Sequence, residues 1–447
     1  MDYDQTLASR VQSGQALIGV IGLGYVGLPL AHALHEGGHR ILGFDTDARK
    51  VESLNLGKSY IKHLGDSVAQ GLSESGRFEA TVEMGRLHEP DVLIVCVPTP
   101  LGEHQEPDLS YVVKSARDIG RVARPGQLAI LESTTYPGTT RDEFAPALVA
   151  AAAEAGTSLK IGEDFFIAYS PEREDPGRKS HTTRSTPKLV GGLEPHSARI
   201  AAAVYRRGLD HVIEVSSAEV AESAKLMENI FRAVNIAMVN EMKVLLSAMN
   251  IDIWEVIGAA STKPFGYMPF QPGPGLGGHC IPIDPFYLTW KAKEYGKATR
   301  FIELAGEINT SMPRYVVEQT AAALNRAHKP VAGSRILILG LAYKADIDDP
   351  RESPSFELIR LLRDMGAHVD YSDPHIPATW PARKHDLAMK SVPLAPESVA
   401  SYDAVIIATA HKAFDYTMIA ECAQLVVDTR NAMARHAADM QDRLVKA

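Results

Sequence analysis

The most unusual chemistry in the sequence lies in a glycine-rich run followed by a cysteine. Four of the six residues at positions 273–278 are glycine, and Cys280 comes two positions after the last of them. Glycine lets a ligand lie against bare backbone, and a thiolate adds to carbonyl carbons. A lone cysteine is more often a small buried hydrophobic residue. The glycine run, together with Asp284 four positions after the cysteine, instead favours a nucleophilic Cys280.

The other two cysteines, Cys96 and Cys422, lie far from Cys280 and form no C-x-x-C pair with it. This spacing indicates neither a disulfide framework nor a structural zinc site. His279 directly precedes Cys280, but two adjacent residues do not make a zinc site, so we predict no metal.

A second candidate pair is Lys225 and Asn229. They are four residues apart in a helical pattern and therefore project from the same face of the helix. A lysine on a helix is usually a solvated charge. The apolar neighbours of Lys225 in sequence favour a functional role instead.

A third pattern lies near the N-terminus, where Gly22, Gly24 and Gly27 form a G-x-G-x-x-G turn. The apolar run at 17–23 predicts a strand before the turn, and residues 28–36 predict a helix after it. In such a turn the glycines allow a tight bend, close approach of a pyrophosphate and close packing of the helix on the strand. The alternative is a tight turn with a purely structural role.

Asp45 follows a second predicted strand at 41–44 and stands eighteen positions after Gly27. A carboxylate at that strand end accepts hydrogen bonds from a ribose diol and repels a 2′-phosphate. The motif therefore predicts a dinucleotide-binding domain that prefers NAD to NADP. Lys50 is near enough in sequence to soften that preference.

The chain has 447 residues, enough for about three domains. Strand-like runs at 92–97, 128–131 and 165–169 predict a mostly parallel, doubly wound sheet in the first region. Helical periodicity then replaces this alternation between about 210 and 325. One helix, predicted from a capping box of Ser216 and Glu219 to about Met249, would be roughly 50 Å long. We expect it to join domains and to pack against another subunit.

The α/β alternation restarts after a predicted linker at 327–333. Four strands and a helix are expected there, at 336–339, 367–371, 405–408 and 425–427 and at 353–365. Only Gly340 follows the first of these strands, so this domain should hold a different nucleotide. The predicted fold class is α/β, with two Rossmann-like doubly wound domains at 1–209 and 327–447 joined by a central helical domain at 210–326.

The composition narrows the classes of partner. With 45% hydrophobic and 23% charged residues, the chain is an ordinary globular protein. The formal net charge of −9, with dispersed basic residues, argues against nucleic acid or an anionic membrane as a partner. The longest nearly apolar stretch, 145–153, is too short to span a bilayer, and the N-terminus lacks a secretory pattern, so we expect a cytoplasmic protein.

Over nearly its whole length the chain resembles the nucleotide-sugar 6-dehydrogenases of the UDP-glucose/UDP-mannose dehydrogenase superfamily. The matching stretches are Gly22–Gly27 with Asp45, Val97–Pro100, Glu132–Gly138, Tyr169–Arg173, Lys225–Asn229, Gly273–Asp284 and Tyr343–Ser353. The resemblance implies an N-terminal NAD domain, a central helical dimerisation domain and a C-terminal UDP-binding domain. It also implies a homodimer or a higher homo-oligomer.

The same resemblance implies a four-electron oxidation of a sugar C6 alcohol to a carboxylate. Cys280 would hold the intermediate aldehyde as a thiohemiacetal and then as a thioester. Lys225 would stabilise the oxyanion, and Asn229 would hold the same oxygen. Asp284 and Thr134 would orient a proton-relaying water, and Glu172 would help to activate the hydrolytic water.

Two sets of binding residues follow from the resemblance. The NAD set comprises Gly22, Gly24, Tyr25, Val26, Gly27, Asp45, Lys50, Thr99, Ser133, Thr134 and Arg351. The UDP-sugar set comprises Glu172, Arg173, Lys225, Asn229, Phe265, Gly273, Gly275, Gly277 and Lys344.

The departures from the family pattern concern the sugar. Ile283 stands where UDP-glucose dehydrogenases commonly have lysine, and Phe265 lies in a stretch where many relatives have arginine. The stretches Lys263–Gly266, Pro272–Asp284 and Tyr169–Gly177 most resemble the bacterial enzymes that act on UDP-N-acetylglucosamine. The resemblance implies a role in making a surface polysaccharide such as O-antigen or capsule, and both apolar residues suit an N-acetyl group. UDP-N-acetylmannosamine and UDP-glucose stay open as substrates.

Two more distant hypotheses also stay open. A β-hydroxyacid dehydrogenase could share the NAD turn and the Lys-x-x-x-Asn pair, but it has no use for Cys280 or for a second nucleotide domain. A catalytically silent nucleotide-sugar sensor would have no need to keep Cys280, Lys225 and Asp284 together.

Overall fold

The structure is a computed structural model that describes residues 2–61, 64–102, 106–173, 182–278, 281–380 and 387–447. The chain divides into two compact units. Unit 1 comprises Met1–Glu228 and Trp290–Lys297, and unit 2 comprises Asn229–Thr289 and Ala298–Ala447. The three-domain boundaries at 209/210 and 326/327 remain a prediction from the sequence.

Unit 1 is built on a sheet of eight strands within its described residues. They are β1 Leu17–Ile21, β2 Arg40–Phe44, β3 Phe78–Thr81, β4 Val92–Val95, β5 Gln127–Leu131, β6 Phe165–Tyr169, β7 Lys188–Gly192 and β8 Val212–Glu214. Their order is β3-β2-β1-β4-β5-β6-β7-β8. Neighbours pair in parallel except for β6 and β7, which are antiparallel. The order from β3 to β6 is that of a dinucleotide-binding sheet, in which the ligand binds beyond the carboxyl ends of the strands where β1 and β4 meet.

Helices cover both faces of this sheet. They are α1 Tyr3–Gln12, α2 Gly27–Glu36, α3 Ala48–Asn55, α4 Gly65–Glu74, α5 Ser110–Val122, α6 Ala145–Glu154 and α7 Pro195–Gly208. Strand β4 shows how the two cores form. Val92 and Ile94 pack into one core, and Leu93 and Val95 pack into the other. This alternation is the reason the strand is an unbroken apolar run in the sequence.

Two helices contain residues of both units: α8, Ala218–Ala248, and α10, Asp284–Glu294. The short helix α9, Ile253–Ala260, lies between them in sequence and belongs to unit 2. The α8 helix spans 31 residues and so confirms the long helix expected from the sequence. Its predicted cap was wrong. The helix begins after Ser217, whose Oγ accepts from the Val220 N–H at 3.3 Å, and Glu219 pairs with Arg141 at 2.6 Å. Ser216 therefore lies one residue too early to cap it.

The remaining helices belong to unit 2, together with a second sheet. The helices are α11 Arg300–Arg326, α12 Pro354–Asp364, α13 Pro396–Ala400, α14 Tyr416–Cys422 and α15 Ala437–Met440. The strands, all parallel, are β9 Arg335–Leu339, β10 His368–Ser372, β11 Ala404–Ile407, β12 Val426–Asp428 and β13 Leu444–Lys446. Their order, β10-β9-β11-β12-β13, confirms a second Rossmann-like sheet. Within the described residues, no helix combines the length and the apolar character that crossing a membrane requires.

Candidate active site

The glycine turn between β1 and α2 gives each of its three glycines a separate reason to be there. Gly22 has a φ of +90°, and a Cβ on it would lie 2.5 Å from the Cys96 carbonyl oxygen. A Cβ on Gly27 would lie 1.9 Å from the Gly22 carbonyl oxygen. A Cβ on Gly24 would meet nothing within 4 Å, so its backbone is open to a ligand. This geometry fits a pyrophosphate at the N-terminus of α2.

Asp45, just beyond β2, connects the second strand to this turn. Its carboxylate is 6% exposed and accepts hydrogen bonds from the Leu23 N–H at 3.0 Å and the Asp47 N–H at 2.9 Å. The Nζ of Lys50 lies 3.3 Å from Asp45 Oδ2. Asp45 is therefore placed at the glycine turn as a ribose ligand requires, and Lys50 balances part of its charge. The residues present thus fit the NAD that the motif predicts.

The ends of β4 and β5 bring three more candidates of the NAD set together. Thr99 donates its hydroxyl hydrogen to the Thr134 carbonyl at 2.7 Å, and Ser133 donates its own to the Val97 carbonyl at 2.7 Å. The Val97 N–H also donates to Ser133 Oγ at 3.1 Å. These bonds hold the segments that follow β4 and β5 against each other at the carboxyl end of the sheet, the end at which the glycine turn also lies.

Glu172 and Lys225 meet in unit 1. The Lys225 Nζ lies 3.5 Å from Glu172 Oε2, and the side chains are only 5% and 14% exposed. The neighbouring Arg173 pairs with Glu228 at 2.6 Å and donates to the Pro187 carbonyl at 2.7 Å. The predicted base and the predicted oxyanion ligand are thus in direct contact.

Asn229 and Asp284 meet in unit 2. The Asn229 Nδ2 donates to Asp284 Oδ2 at 2.5 Å, and both residues are buried. Because Lys225 and Asn229 lie four residues apart on α8, they project from the same face of that helix, as the sequence predicted. Cys280 and the preceding His279 lie outside the described residues.

The glycine-rich segment packs against the loops that follow β9. A Cβ on Gly277 would lie 2.5 Å from Tyr343 Cβ, and one on Gly278 would lie 2.9 Å from the Tyr343 ring. The Gly278 N–H donates to the Arg351 carbonyl at 3.0 Å, and the Arg351 guanidinium pairs with Asp349 at 2.6 Å. Side chains in this segment would therefore displace Tyr343. Lys344, another predicted substrate ligand, is half-buried directly after it.

Arg430 is a candidate that the sequence analysis missed. A Cβ on Gly273 would lie 2.3 Å from Arg430 Nη1, and Arg430 Nε donates to the Ala408 carbonyl at 2.9 Å. Burial lowers the pKa of Arg430 to about 10, which still leaves the guanidinium charged at neutral pH. A guanidinium at the carboxyl end of β12 suits a diphosphate. The signal was present in the sequence as an arginine three positions after the predicted strand at 425–427.

The two residues used to infer the sugar occupy different environments. Phe265 is 71% exposed, with the Lys263 Nζ 5.1 Å from its ring centroid. Ile283 is 7% exposed and is enclosed by protein. An apolar residue suits the buried position 283 whichever sugar is bound, so Ile283 carries less information about the N-acetyl group than the sequence analysis assumed.

Asp373 occupies the position in the second sheet that Asp45 occupies in the first, just after the second strand. Asp373 follows β10 and accepts hydrogen bonds from the Leu341 and Ala342 N–H groups at 2.7 and 3.0 Å and from His411 Nε2 at 3.1 Å. Burial raises the pKa of Asp373, but the hydrogen bonds from His411 and these amides outweigh it and lower the pKa overall. The carboxylate of Asp373 is thus already hydrogen-bonded to the loops that follow β9 and β11, and it is poorly suited to bind a ribose.

His411 also lies close to His375 and Asp346, with all three potential ligand atoms within 4.8 Å of one another. The Asp346 N–H donates to His411 Nδ1 at 2.9 Å, so both ring nitrogens of His411 are already hydrogen-bonded. His411 is therefore already occupied by hydrogen bonds, whereas the buried Nε2 of His375 has no hydrogen-bond partner among the described residues.

The fold and these residues define a dinucleotide-binding α/β dehydrogenase with a second, different nucleotide domain. Comparison with known proteins identifies the dehydrogenase family. The chain matches the NAD-binding domain of the UDP-glucose/GDP-mannose dehydrogenase family at residues 16–209, its central domain at 219–311 and its UDP-binding domain at 337–435. The chain belongs to this family, and it is an NAD-dependent UDP-sugar dehydrogenase.

Individual relatives differ in the sugar that their names give. The chain is 37% identical to the UDP-N-acetyl-D-glucosamine 6-dehydrogenase of Pseudomonas aeruginosa, over 89% of this chain and 91% of that protein. It is 35% identical to an NDP-N-acetyl-D-galactosaminuronic acid dehydrogenase of Ralstonia nicotianae, over 80% and 83%. The solved structure of a UDP-D-ManNAc dehydrogenase from Pyrococcus horikoshii superimposes with a TM-score of 0.84 at 32% identity, over 93% of this chain and 96% of that one.

Proposed function

We propose that this protein oxidises C6 of UDP-N-acetylglucosamine to the uronic acid with two equivalents of NAD. The observation that carries the proposal is the glycine-rich segment, which leads to Cys280 and packs on Tyr343, Arg351 and Arg430 of the UDP-binding domain. A nucleophile at the end of that segment would stand next to the bound nucleotide. The name of the Pseudomonas aeruginosa relative supports the choice of sugar.

Bound NAD supplies the hydride acceptor, and the chain's own residues supply the remaining chemistry. The thiolate of Cys280 forms a carbon–sulfur bond to the aldehyde, which becomes a thioester at the second oxidation. Water then cleaves that bond, which releases the carboxylate and restores the thiol. Two hydrides and the matching protons leave the substrate in total, so the electrons balance.

The described side chains suit the remaining roles. Lys225 is a buried ammonium that stabilises an oxyanion on C6, and Asn229 holds the same oxygen through its amide. Asp284 receives protons through water in concert with Thr134. Glu172, 3.5 Å from Lys225, takes the proton of the hydrolytic water.

The names of relatives give three different N-acetylated sugars, so the choice among them needs a direct test. A panel of UDP-N-acetylglucosamine, UDP-N-acetylmannosamine, UDP-N-acetylgalactosamine and UDP-glucose, incubated with NAD, tests it. We expect two NADH per sugar oxidised, no free aldehyde, and a kcat/KM for UDP-N-acetylglucosamine at least about tenfold above that for UDP-glucose. A preference for UDP-glucose would contradict the assignment of the sugar, and one NADH with a released aldehyde would contradict the thioester.

Cys280→Ala tests the nucleophile directly. We expect acid formation to be abolished while binding of NAD and the UDP-sugar persists, because the thiol forms its bonds during the reaction. Cys422→Ala is the matched control and should stay active, since Cys422 lies on α14. Near-normal uronic acid production by Cys280→Ala would show that the nucleophile is misassigned.

The proposal extends to assembly and to physiology. Several large apolar side chains on α8 are exposed in the single chain: Val220, Met227, Phe231, Met238 and Leu245. An apolar stripe of this kind is typical of a helix that packs on another copy, so we propose a homodimer. The uronic acid product would serve as a precursor for a surface polysaccharide such as O-antigen or capsule.

A further inference from the structure

A buried ion pair lies behind the predicted base in unit 1. Lys188, the first residue of β7, places its Nζ 2.6 Å from Oε2 of Glu132, and the side chains are 10% and 1% exposed. The Tyr205 hydroxyl donates to Oε1 of the same carboxylate at 2.5 Å. Burial and the Glu132 charge raise the pKa of Tyr205 well above its ordinary value, so its hydroxyl stays a donor. Both oxygens of Glu132 are therefore engaged.

The ammonium of Lys188 makes a second contact that reaches the catalytic segment. Its Nζ donates to the Pro171 carbonyl at 3.0 Å, one peptide bond before Glu172. Strand β6 has ended at Tyr169, and Ser170 makes the last ladder bond, from its N–H to the Leu131 carbonyl at 3.0 Å. Beyond the last sheet hydrogen bond, Lys188 therefore provides the next hydrogen bond to the backbone that leads to Glu172.

Arg173 fixes the other side of Glu172. It donates to the Pro187 carbonyl at 2.7 Å, immediately before Lys188, and pairs with Glu228 at 2.6 Å. Glu132, Glu172 and Lys188 line one cavity, together with Val26 of the glycine turn. The Lys188–Glu132 pair and Glu172 therefore line the same cavity, and Lys188 and Arg173 hold the backbone on the two sides of Glu172.

We propose that Lys188, held in place by Glu132, is a positioning residue for Glu172. The inference rests on the proposed function, in which Glu172 activates the water that cleaves the thioester. Glu132 cancels the charge of the ammonium, so the Pro171 carbonyl gains a strong donor without a net charge being added to the cavity. Loss of the donor would let the Glu172 carboxylate move away from the water.

The test compares four variants of the full chain in single turnover with UDP-N-acetylglucosamine and NAD, with the protein-bound thioester followed by mass spectrometry. Glu172→Gln sets the reference for slow hydrolysis. Lys188→Met removes the donor and leaves the buried Glu132 carboxylate with its Tyr205 hydrogen bond but without a counter-ion. Glu132→Gln/Lys188→Met removes both charges, which usually restores much of the stability. Asp91→Asn is the control, because Asp91 is a buried, ion-paired carboxylate at the opposite, amino end of the same sheet.

We expect Lys188→Met and the double variant to slow thioester hydrolysis by about 10²-fold, as a catalytic group displaced by about 1 Å does, with formation of the thioester much less affected. The double variant should recover stability without recovering hydrolysis, and Asp91→Asn should lose stability with normal hydrolysis. Recovery of hydrolysis together with stability in the double variant would show a merely structural pair and overturn the proposal. Fast hydrolysis in Lys188→Met beside slow hydrolysis in Glu172→Gln would also overturn it while leaving the proposed function intact. Absence of any thioester in the wild-type protein and in Glu172→Gln would instead contradict the proposed function, and the positioning role with it.

Discussion

At the residue scale, we expect Asp45 to set the preference of the protein for NAD over NADP. Asp45→Asn keeps an acceptor for the Leu23 N–H but removes the charge that repels a 2′-phosphate. We expect weaker use of NAD and a narrower gap between NAD and NADP, measured as kcat/KM for each. Lys50 would then lack its ion-pair partner and would attract the 2′-phosphate of NADP, which reduces the difference in kcat/KM between NAD and NADP further.

The neighbouring Asp47 provides the control for that change. Its carboxylate caps α3 by accepting from the Arg49 N–H at 3.0 Å and also pairs with the Arg49 guanidinium at 2.9 Å. Asp47→Asn should therefore leave the cofactor preference unchanged. An unaltered preference in Asp45→Asn would remove Asp45 from the ribose site.

His39 links stability to pH at the same scale. Burial lowers its pKa to about 4 from the ordinary 6.5, while Nε2 donates to the Val204 carbonyl at 3.3 Å. Between pH 6.5 and 4, His39 is protonated in the unfolded chain but stays neutral in the folded chain. The stability that is present above pH 6.5 is therefore lost as the pH falls. The free energy of unfolding should drop by up to about 3 kcal/mol more in the wild type than in His39→Gln.

Urea unfolding of both proteins at several pH values across this window checks the prediction, because all other titrating groups cancel in the difference. Parallel pH profiles for the wild type and His39→Gln would contradict it.

At the element scale, a buried amide pair ties two helices to the glycine-rich segment. Asn240 on α8 donates from Nδ2 to Asn309 Oδ1 on α11 at 2.9 Å, and its own Oδ1 accepts from the Gly273 N–H at 3.0 Å. Asn309 Nδ2 donates to the Ala233 carbonyl at 3.1 Å. The pair therefore anchors the start of the segment that leads to Cys280.

Asn240→Ala should destabilise the protein by about 1–3 kcal/mol, because it leaves the Gly273 N–H and Asn309 Oδ1 buried without partners. We also expect a raised KM for the UDP-sugar, since the segment loses its anchor. Thermal unfolding and steady-state kinetics measure the two effects. Asn235→Ala, on the same helix and half-buried, is the control and should change both far less; equal effects of the two substitutions would argue against the anchor.

At the scale of the whole molecule, the exposed apolar side chains of α8 predict self-association. Met238 and Leu245 are 49% and 54% exposed and lie seven residues apart, two turns along one face. Met238→Glu/Leu245→Glu should shift the protein from dimer toward monomer, because paired carboxylates cannot be buried in an apolar contact. Light scattering coupled to size exclusion measures the mass. Arg117→Glu, an exposed charge change on α5, should leave it unaltered, and a wild-type monomer at micromolar concentration would refute the dimer.

The sequence by itself determined the α/β class, the glycine turn with Asp45, the length of α8 and the order of motifs that identifies the family. These features depend on short-range causes. Strands buried on both faces must be apolar runs, a helix repeats its apolar positions every three to four residues, and a tight turn needs glycine where a Cβ would clash with backbone.

Only the tertiary structure decided which distant side chains meet and which are already occupied. Lys188 and Glu132 are 56 residues apart in sequence, and Arg430 reaches Gly273 from another element altogether. Asp373 follows a strand as Asp45 does, yet its carboxylate is hydrogen-bonded to Leu341, Ala342 and His411 from two other loops. The apolar character of Ile283 follows from burial. Such contacts depend on how strand ends and loops pack once the sheets are formed, and a linear pattern of residue types does not specify that packing.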